Sequence, residues 1–259
     1  MTATAPSRPL ADVQDEAGRL VGLTDDGGLV MRLIGGTAVA RHCHGEQPPA
    51  LRRSCADIDV VVRRADQRRL RSLLEASGYE PDQEFNAVHG ARRLLYYDRP
   101  NGRQLDVFIG EFRMCHQLDL DGRLTLDSAT LTPADLLLTK LQVVQVNAKD
   151  LTDAASLLLW HDLGEERSGD VIGTDRLTDV TSRDWGWFVT FTENLGRVER
   201  AAADMLAAPD ADVVSTRAAR IAEVVEQAPK TIRWKARARV GRRVPWYELP
   251  EEVAGERGR

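Results

Sequence analysis

The chain has 259 residues, 42% of them hydrophobic, and a net charge of −5; this is long enough for one large or two modest domains and apolar enough to exclude a disordered chain. No apolar run approaches the roughly 20 residues of a bilayer span, and Met1 to Leu10 lacks the apolar stretch of a secretory signal, so a cytoplasmic protein with no membrane partner is predicted. Three cysteines, Cys43, Cys55 and Cys115, without paired spacing predict reduced thiols rather than a disulfide frame.

Met1 to Ser7 reads as a frayed end. Leu10, Val13, Ala17 and Leu20 recur at helical spacing, and Asp25-Asp26-Gly27-Gly28 is a turn ahead of an apolar strand, Leu29 to Ile34. That strand stops at Gly35-Gly36, where the chain can turn tightly and bring backbone close to a ligand. Thr37 to His44 reads as a helix, and its free N–H groups and positive dipole end make a candidate anion site over the glycines. A loop through Pro48-Pro49 and Arg52-Arg53 leads to a second strand, Asp57 to Val62. Asp57 and Asp59, two apart, project from one face of it, with Ile58, Val60 and Val62 on the other. Two neighbouring carboxylates repel each other, and a hard divalent cation with oxygen ligands would offset that repulsion.

Ala65 to Ser77 reads as an amphipathic helix on Leu70, Leu73 and Leu74, ending near Gly78. Arg92 to Asp98 and Arg103 to Ile109 are β runs joined by Arg99-Pro100-Asn101-Gly102, a hairpin signal. Asp106 sits in this ribbon among Leu105, Val107, Phe108 and Ile109. An unpaired acid there is costly, which favours a metal-binding or base role. Leu124 to Leu126 reads as one more short strand.

Helices follow from Leu131. Thr132-Pro133-Ala134-Asp135 is a helix start, and Lys140 lies in the middle of the stretch marked by Leu136, Leu137, Leu141 and Val144. Asp150 to Trp160 is a second helix with Asp150 and Asp153 on one face, residues 164–174 a polar linker, and Trp185 to Leu206 and Ala218 to Val225 further helices. Trp185, Trp187, Phe188 and Phe191 read as core residues of these helices. Lys230 to Arg243 then carries seven basic residues and no acid; removing its +7 from the net −5 leaves −12 on the rest. His42-Cys43-His44 and Cys115-His116 match no zinc-module spacing, and no zinc site is predicted.

Phosphates at a helix N-terminus beside carboxylates that hold magnesium are the working parts of nucleotidyl transfer. The order Gly35-Gly36-Thr37, then Arg53-x-x-x-Asp57-Ile58-Asp59, then Asp106 on a neighbouring strand, resembles the DNA polymerase beta-like nucleotidyltransferase superfamily. Over about Leu33 to Leu159 the chain resembles the AbiEii-like toxin nucleotidyltransferases of abortive infection (type IV toxin–antitoxin) systems. Cys55 stands where related sequences tend to carry a hydroxyl residue.

The resemblance implies an α/β fold of the α+β type, a nucleotidyltransferase fold with a small mixed, largely antiparallel sheet and a mainly helical C-terminal region. The corresponding division is a nucleotidyltransferase core over residues 1–130, a helical domain over 131–244 and a tail over 245–259. It further implies that Asp57, Asp59 and Asp106 are catalytic and hold two Mg2+ ions. Gly35, Gly36, Thr37, Arg53 and Lys140, with Asp150 or Asp153, would meet a nucleoside triphosphate such as ATP. The expected reaction moves a nucleoside monophosphate to a hydroxyl acceptor with release of pyrophosphate. The acceptor would be tRNA or a protein, with a cognate antitoxin as a further partner. Lys230, Arg233, Trp234, Lys235, Arg237 and Arg239 combine charge with an aromatic ring and are candidate nucleic-acid contacts. Two alternatives stand beside this reading: an aminoglycoside- or lincosamide-type antibiotic nucleotidyltransferase, whose cationic substrate would suit the acidic remainder, and a nucleotide-binding protein without turnover.

Overall fold

The computed structural model describes residues 8–43, 45–166 and 170–249. The expected frayed end at 1–7, His44 at the end of the expected helix and residues 250–259 of the expected 245–259 tail lie outside the described residues. Two compact units divide the chain: Met1–Phe112 with Asp119–Leu136, and Arg113–Leu118 with Leu137–Arg259.

The first unit is built on a five-stranded sheet. Helix α1 (Val13–Asp26) starts at Asp12, whose carboxylate accepts from the N–H groups of Gln14 and Asp15, and it buries Ala17, Leu20 and Val21. Strand β1 (Met31–Ile34) leads into α2 (Gly35–His42), β2 (Ile58–Val62), α3 (Gln67–Ala76), β3 (Glu80–Pro81), α4 (Gln83–His89), β4 (Arg93–Asp98) and β5 (Arg103–Ile109). The strand order is β1-β2-β5-β4-β3. β2 and β5 run parallel, and the other three pairs are antiparallel. This is the small, mixed, largely antiparallel sheet that the sequence implies, and the class is α/β. Ile58, Val60, Val62, Leu105 and Val107 are fully buried, so the sheet centre forms the core and fixes the register of the acids it carries.

Several local expectations are corrected. The helix after β1 begins at Gly35, two residues early, because Gly35 adopts φ +67° and makes the corner itself. β2 begins at Ile58, leaving Asp57 one residue ahead of it. α4 and β3 fill a stretch with no strong periodic signal. Leu124 to Leu126 are turn residues rather than a strand.

β6 (Glu111–Arg113) and β7 (Gln117–Asp119) form a two-stranded ribbon where the chain leaves the first unit and returns. Helix α5 (Pro133–Leu141) begins in the first unit, where Thr132 Oγ1 accepts from the Asp135 N–H and Arg123 is bonded to the Asp135 carboxylate, and continues into the second.

The second unit is helical: α6 (Ala148–Trp160), α7 (Thr174–Arg183), α8 (Trp185–Met205), α9 (Ala208–Gln227) and α10 (Ile232–Val240). α6, α7, α8 and α9 bury Leu157, Leu158, Leu177, Phe191, Leu195, Val198, Val214, Ile221 and Val225. Trp187 and Phe191 are buried as expected, while Trp185 and Phe188 are half-buried. The expected linker instead carries a parallel pair, β8 (Asp162–Gly164) with β9 (Val171–Gly173). α9 starts ten residues before the expected Ala218, because an Ala-rich stretch whose apolar residues are small gives a weak periodic signal. Among the described residues no helix is long and apolar enough to cross a membrane.

Candidate functional site

The β1–α2 corner brings the first group of residues together. Gly35 takes the left-handed conformation that a side chain disfavours. An added Cβ there would overlap the Asp59 carboxylate, and one on Gly36 would overlap the Arg53 guanidinium and come within 2.9 Å of the Cys55 sulfur. The two glycines thus give up their side chains to an acid and a base that lie directly against backbone. Ile34, at the helix start, offers no side-chain cap, so the opening N–H groups of α2 are not met from that position. Thr37 is buried and its Oγ1 donates to the Ile34 carbonyl at 3.3 Å; its hydroxyl is tied to the corner.

The strand register supplies the second group. Asp59 on β2 is paired with Asp106 on the parallel strand β5, and Ile34 lies across from Asp59 on β1. Register partners on neighbouring strands share a face, so the two carboxylates stand side by side. Asp57 is exposed, and its Oδ1 accepts from the Gln104 N–H at 3.0 Å, which fastens the entry of β2 to the start of β5.

Asp106 has a partner that the sequence reading does not include. Arg93 on β4 donates from Nε to both carboxylate oxygens, at 2.8 and 3.1 Å, and from Nη2 to Oδ2. Arg93 is 7% exposed and Asp106 4%, so this is a buried, forked ion pair. The signal for it lies in the hairpin: with Asp98 paired to Arg103, Leu95 falls opposite Asp106 and Arg93 diagonally across it. Phe85 from α4 and Phe108 from β5 flank the guanidinium, with ring centroids 5.6 and 5.1 Å from it.

These contacts bear on a metal. Among the described residues no group of three or more His, Cys, Asp or Glu side chains is gathered to hold an ion. Asp57 and Asp59 offer carboxylate oxygens of the hard type that Mg2+ takes, whereas both oxygens of Asp106 are engaged by Arg93.

The remaining candidates lie in the second unit. Lys140 is 9% exposed, and its ammonium is held between the Asp153 carboxylate at 2.7 Å and that of Asp150 at 3.3 Å. The resemblance implies these residues as nucleotide contacts; the structure shows them in an ion-paired cluster.

The basic segment divides into two sets. Lys230 donates to the Val225, Glu226 and Ala228 carbonyls at the end of α9 and lies over Phe188 and Trp234. Arg237 donates to the Gly241, Val244 and Pro245 carbonyls. Those two act in capping and packing, and Trp234 is packed edge-on against Phe188 rather than open for stacking. Arg233, Lys235 and Arg239 point outward from α10. Elsewhere in this unit His116 is buried against Trp187 and bonded to Thr190 at 2.9 Å.

No protein-family profile matches the chain, and no curated protein matches it in sequence. Among solved structures it is similar to an antigenic nucleotidyltransferase-like protein from Paracoccidioides brasiliensis, with 15% identity, 85% of this chain and 94% of that one covered, and a TM-score of 0.44. It is also similar to JHP933 from Helicobacter pylori, with 14% identity, 83% and 92% covered, and a TM-score of 0.40.

Proposed function

We propose that the protein is a magnesium-dependent nucleotidyltransferase. The observation that carries this reading is the β1–α2 corner, where Gly35 and Gly36 hold the Asp59 carboxylate and the Arg53 guanidinium against the opening turn of a helix, with Asp106 in register beside Asp59. Backbone N–H groups at a helix start and a nearby guanidinium suit the β and γ phosphates of a nucleoside triphosphate, and Gly35, Gly36, Thr37 and Arg53 would bind them. Asp57 and Asp59 would hold the magnesium ion, which supplies charge stabilisation at the transferring phosphoryl group.

The acceptor oxygen forms a bond to the α-phosphorus, the α–β bridging P–O bond breaks, and pyrophosphate leaves. The acceptor's proton passes to solvent. Most of the gain comes from position and fixed charge.

A tRNA acceptor is favoured over a small molecule by the outward-facing, acid-free run of Arg233, Lys235 and Arg239 on α10; toxin activity and an antitoxin partner belong to the same reading. The test is transfer of label from each α-labelled nucleoside triphosphate, with magnesium, to pooled tRNA, to the protein itself and to an aminoglycoside panel. Label in one acceptor, lost in Asp59→Ala, is the expected result. No label in any acceptor from a folded chain that still binds nucleotide would favour a binding protein without turnover.

A further inference from the structure

We infer that the outward face of α10 is a docking surface for an acidic amphipathic helix of a partner protein, whose apolar residues seat on Ile232, Ala236 and Val240 and whose carboxylates meet Arg233, Lys235 and Arg239. That a partner seated there would also exclude RNA from the same bases rests on the tRNA reading above; the docking face itself does not.

The first support is the pattern of exposure. Ile232, Ala236 and Val240 stand four apart on one side of the helix and form a single row; all three are exposed, Ile232 at 88% and Val240 at 40%. Leu10, Val88 and Leu126, also exposed, lie each on a different segment of the chain, as scattered surface apolar residues do. At about 100° per residue Arg233 falls on one flank of the row, and Lys235 and Arg239 fall on the other.

The second is that the opposite side of α10 is fastened. Trp234 packs edge-on against Phe188, the Arg237 guanidinium lies 4.9 Å from the centre of the Trp185 ring, and Thr231 Oγ1 accepts from the Trp234 N–H at 3.2 Å. A helix of nine residues is too short to persist alone. Held this way, it presents its row already formed, and a partner would not have to order it.

Charge selects the occupant. Arg242 is paired with Glu193 and Arg237 is turned to carbonyls, whereas among the described residues no acid is bonded to Arg233, Lys235 or Arg239. The face therefore repels a second α10 and attracts carboxylates on either side of an apolar row. RNA would use the bases but leaves Ile232 and Val240 without a role. A bilayer surface calls for a broad apolar face with aromatic anchors, and Trp234 is turned inward. A row spaced by four is the ridge that interdigitates with another helix.

The test is fluorescence anisotropy of the full chain with a labelled synthetic peptide that repeats leucine every fourth residue between glutamates, set against a peptide of the same composition in scrambled order. The patterned peptide should bind about tenfold tighter than the scrambled one. Ile232→Gln/Val240→Gln, which keeps good helix formers in α10, should weaken it about tenfold while leaving tRNA retention within about twofold. Arg233→Gln/Lys235→Gln/Arg239→Gln should weaken it as much and flatten its dependence on salt.

Equal binding of the two peptides, or a double glutamine variant that binds as the wild type does, would overturn the inference and leave a face for polyanions. Capture by phosphatidylserine vesicles, or self-association of the chain, that is lost in the double variant would assign the row to a membrane or a second copy and overturn it as well. A wild type that takes the patterned peptide but not tRNA would sink the acceptor reading and leave the docking face standing.

Discussion

Gly36 contributes by what it lacks. A methyl group there would collide with the far end of Arg53, a flexible side chain that can swing away, and press on the Cys55 sulfur at 2.9 Å, so Gly36→Ala should cost the fold about 1 kcal/mol while moving the guanidinium off the corner. Nucleotide affinity, measured by titration calorimetry, is expected to fall about tenfold, within the range lost when one charge-assisted contact goes. Gly35→Ala differs in kind, because Gly35 sits at φ +67° and its neighbour is the short Asp59 side chain rather than a long arginine. It should lose about 1–2 kcal/mol from the backbone alone, with displacement of Asp59 in addition. A pair of alanine substitutions at adjacent positions thus separates a site effect from a folding effect.

At the scale of elements, α5 and α6 are joined within the second unit by Lys140 with Asp150 and Asp153. Asp153 is only 3% exposed, so deleting its cation leaves a buried carboxylate with its main counter-charge gone and Asp150 close by. Lys140→Met is expected to destabilise the chain by about 3–5 kcal/mol in urea unfolding, as for other broken buried pairs. Lys140→Met/Asp153→Leu should recover most of that loss, because the more deeply buried carboxylate leaves with its cation and only the less buried Asp150 stays behind. If Lys140 served only the nucleotide, the single variant would unfold as the wild type does. α4 makes a complementary point in the first unit. It is seven residues long, too short for periodicity to mark, yet it is pinned to β4 by Asn86, whose side chain both accepts from the Leu95 N–H and donates to the Leu95 carbonyl. That docking brings Phe85 over Arg93.

At the scale of the whole molecule, one buried group links folding to pH. Burial drives the His116 pKa from 6.5 down to about 4, although the Asp184 and Glu248 carboxylates push the other way. The folded state then binds fewer protons than the unfolded chain between those values, so stability is full above about pH 6.5 and is lost as pH falls toward 4. The amount is roughly 3 kcal/mol. Urea midpoints across that interval should fall steadily with acidification in the wild type, and His116→Gln should flatten the part that belongs to this residue. A slope unchanged by the substitution would assign the acid sensitivity to other groups.

What the chain's order alone determined follows from local chemistry. Short apolar runs made β2, β4 and β5 legible, Asn101-Gly102 made the hairpin legible, and the glycine pair before a helix marked the corner at Gly35. Asp57, Asp59 and Asp106 could be singled out because acids embedded among Ile, Val and Leu need an explanation. What the tertiary structure decided is which partner each charge meets. Arg93 lies thirteen residues from Asp106 and is brought to it by strand register; Arg53 is brought to Gly36 by a loop with no period of its own. Lys230 and Arg237 are turned inward to carbonyls, while Arg233 and Lys235 between them face out. A sequence records the sign of each charge, but its energy depends on distance and burial, and those are set only when the sheet and the helices have packed.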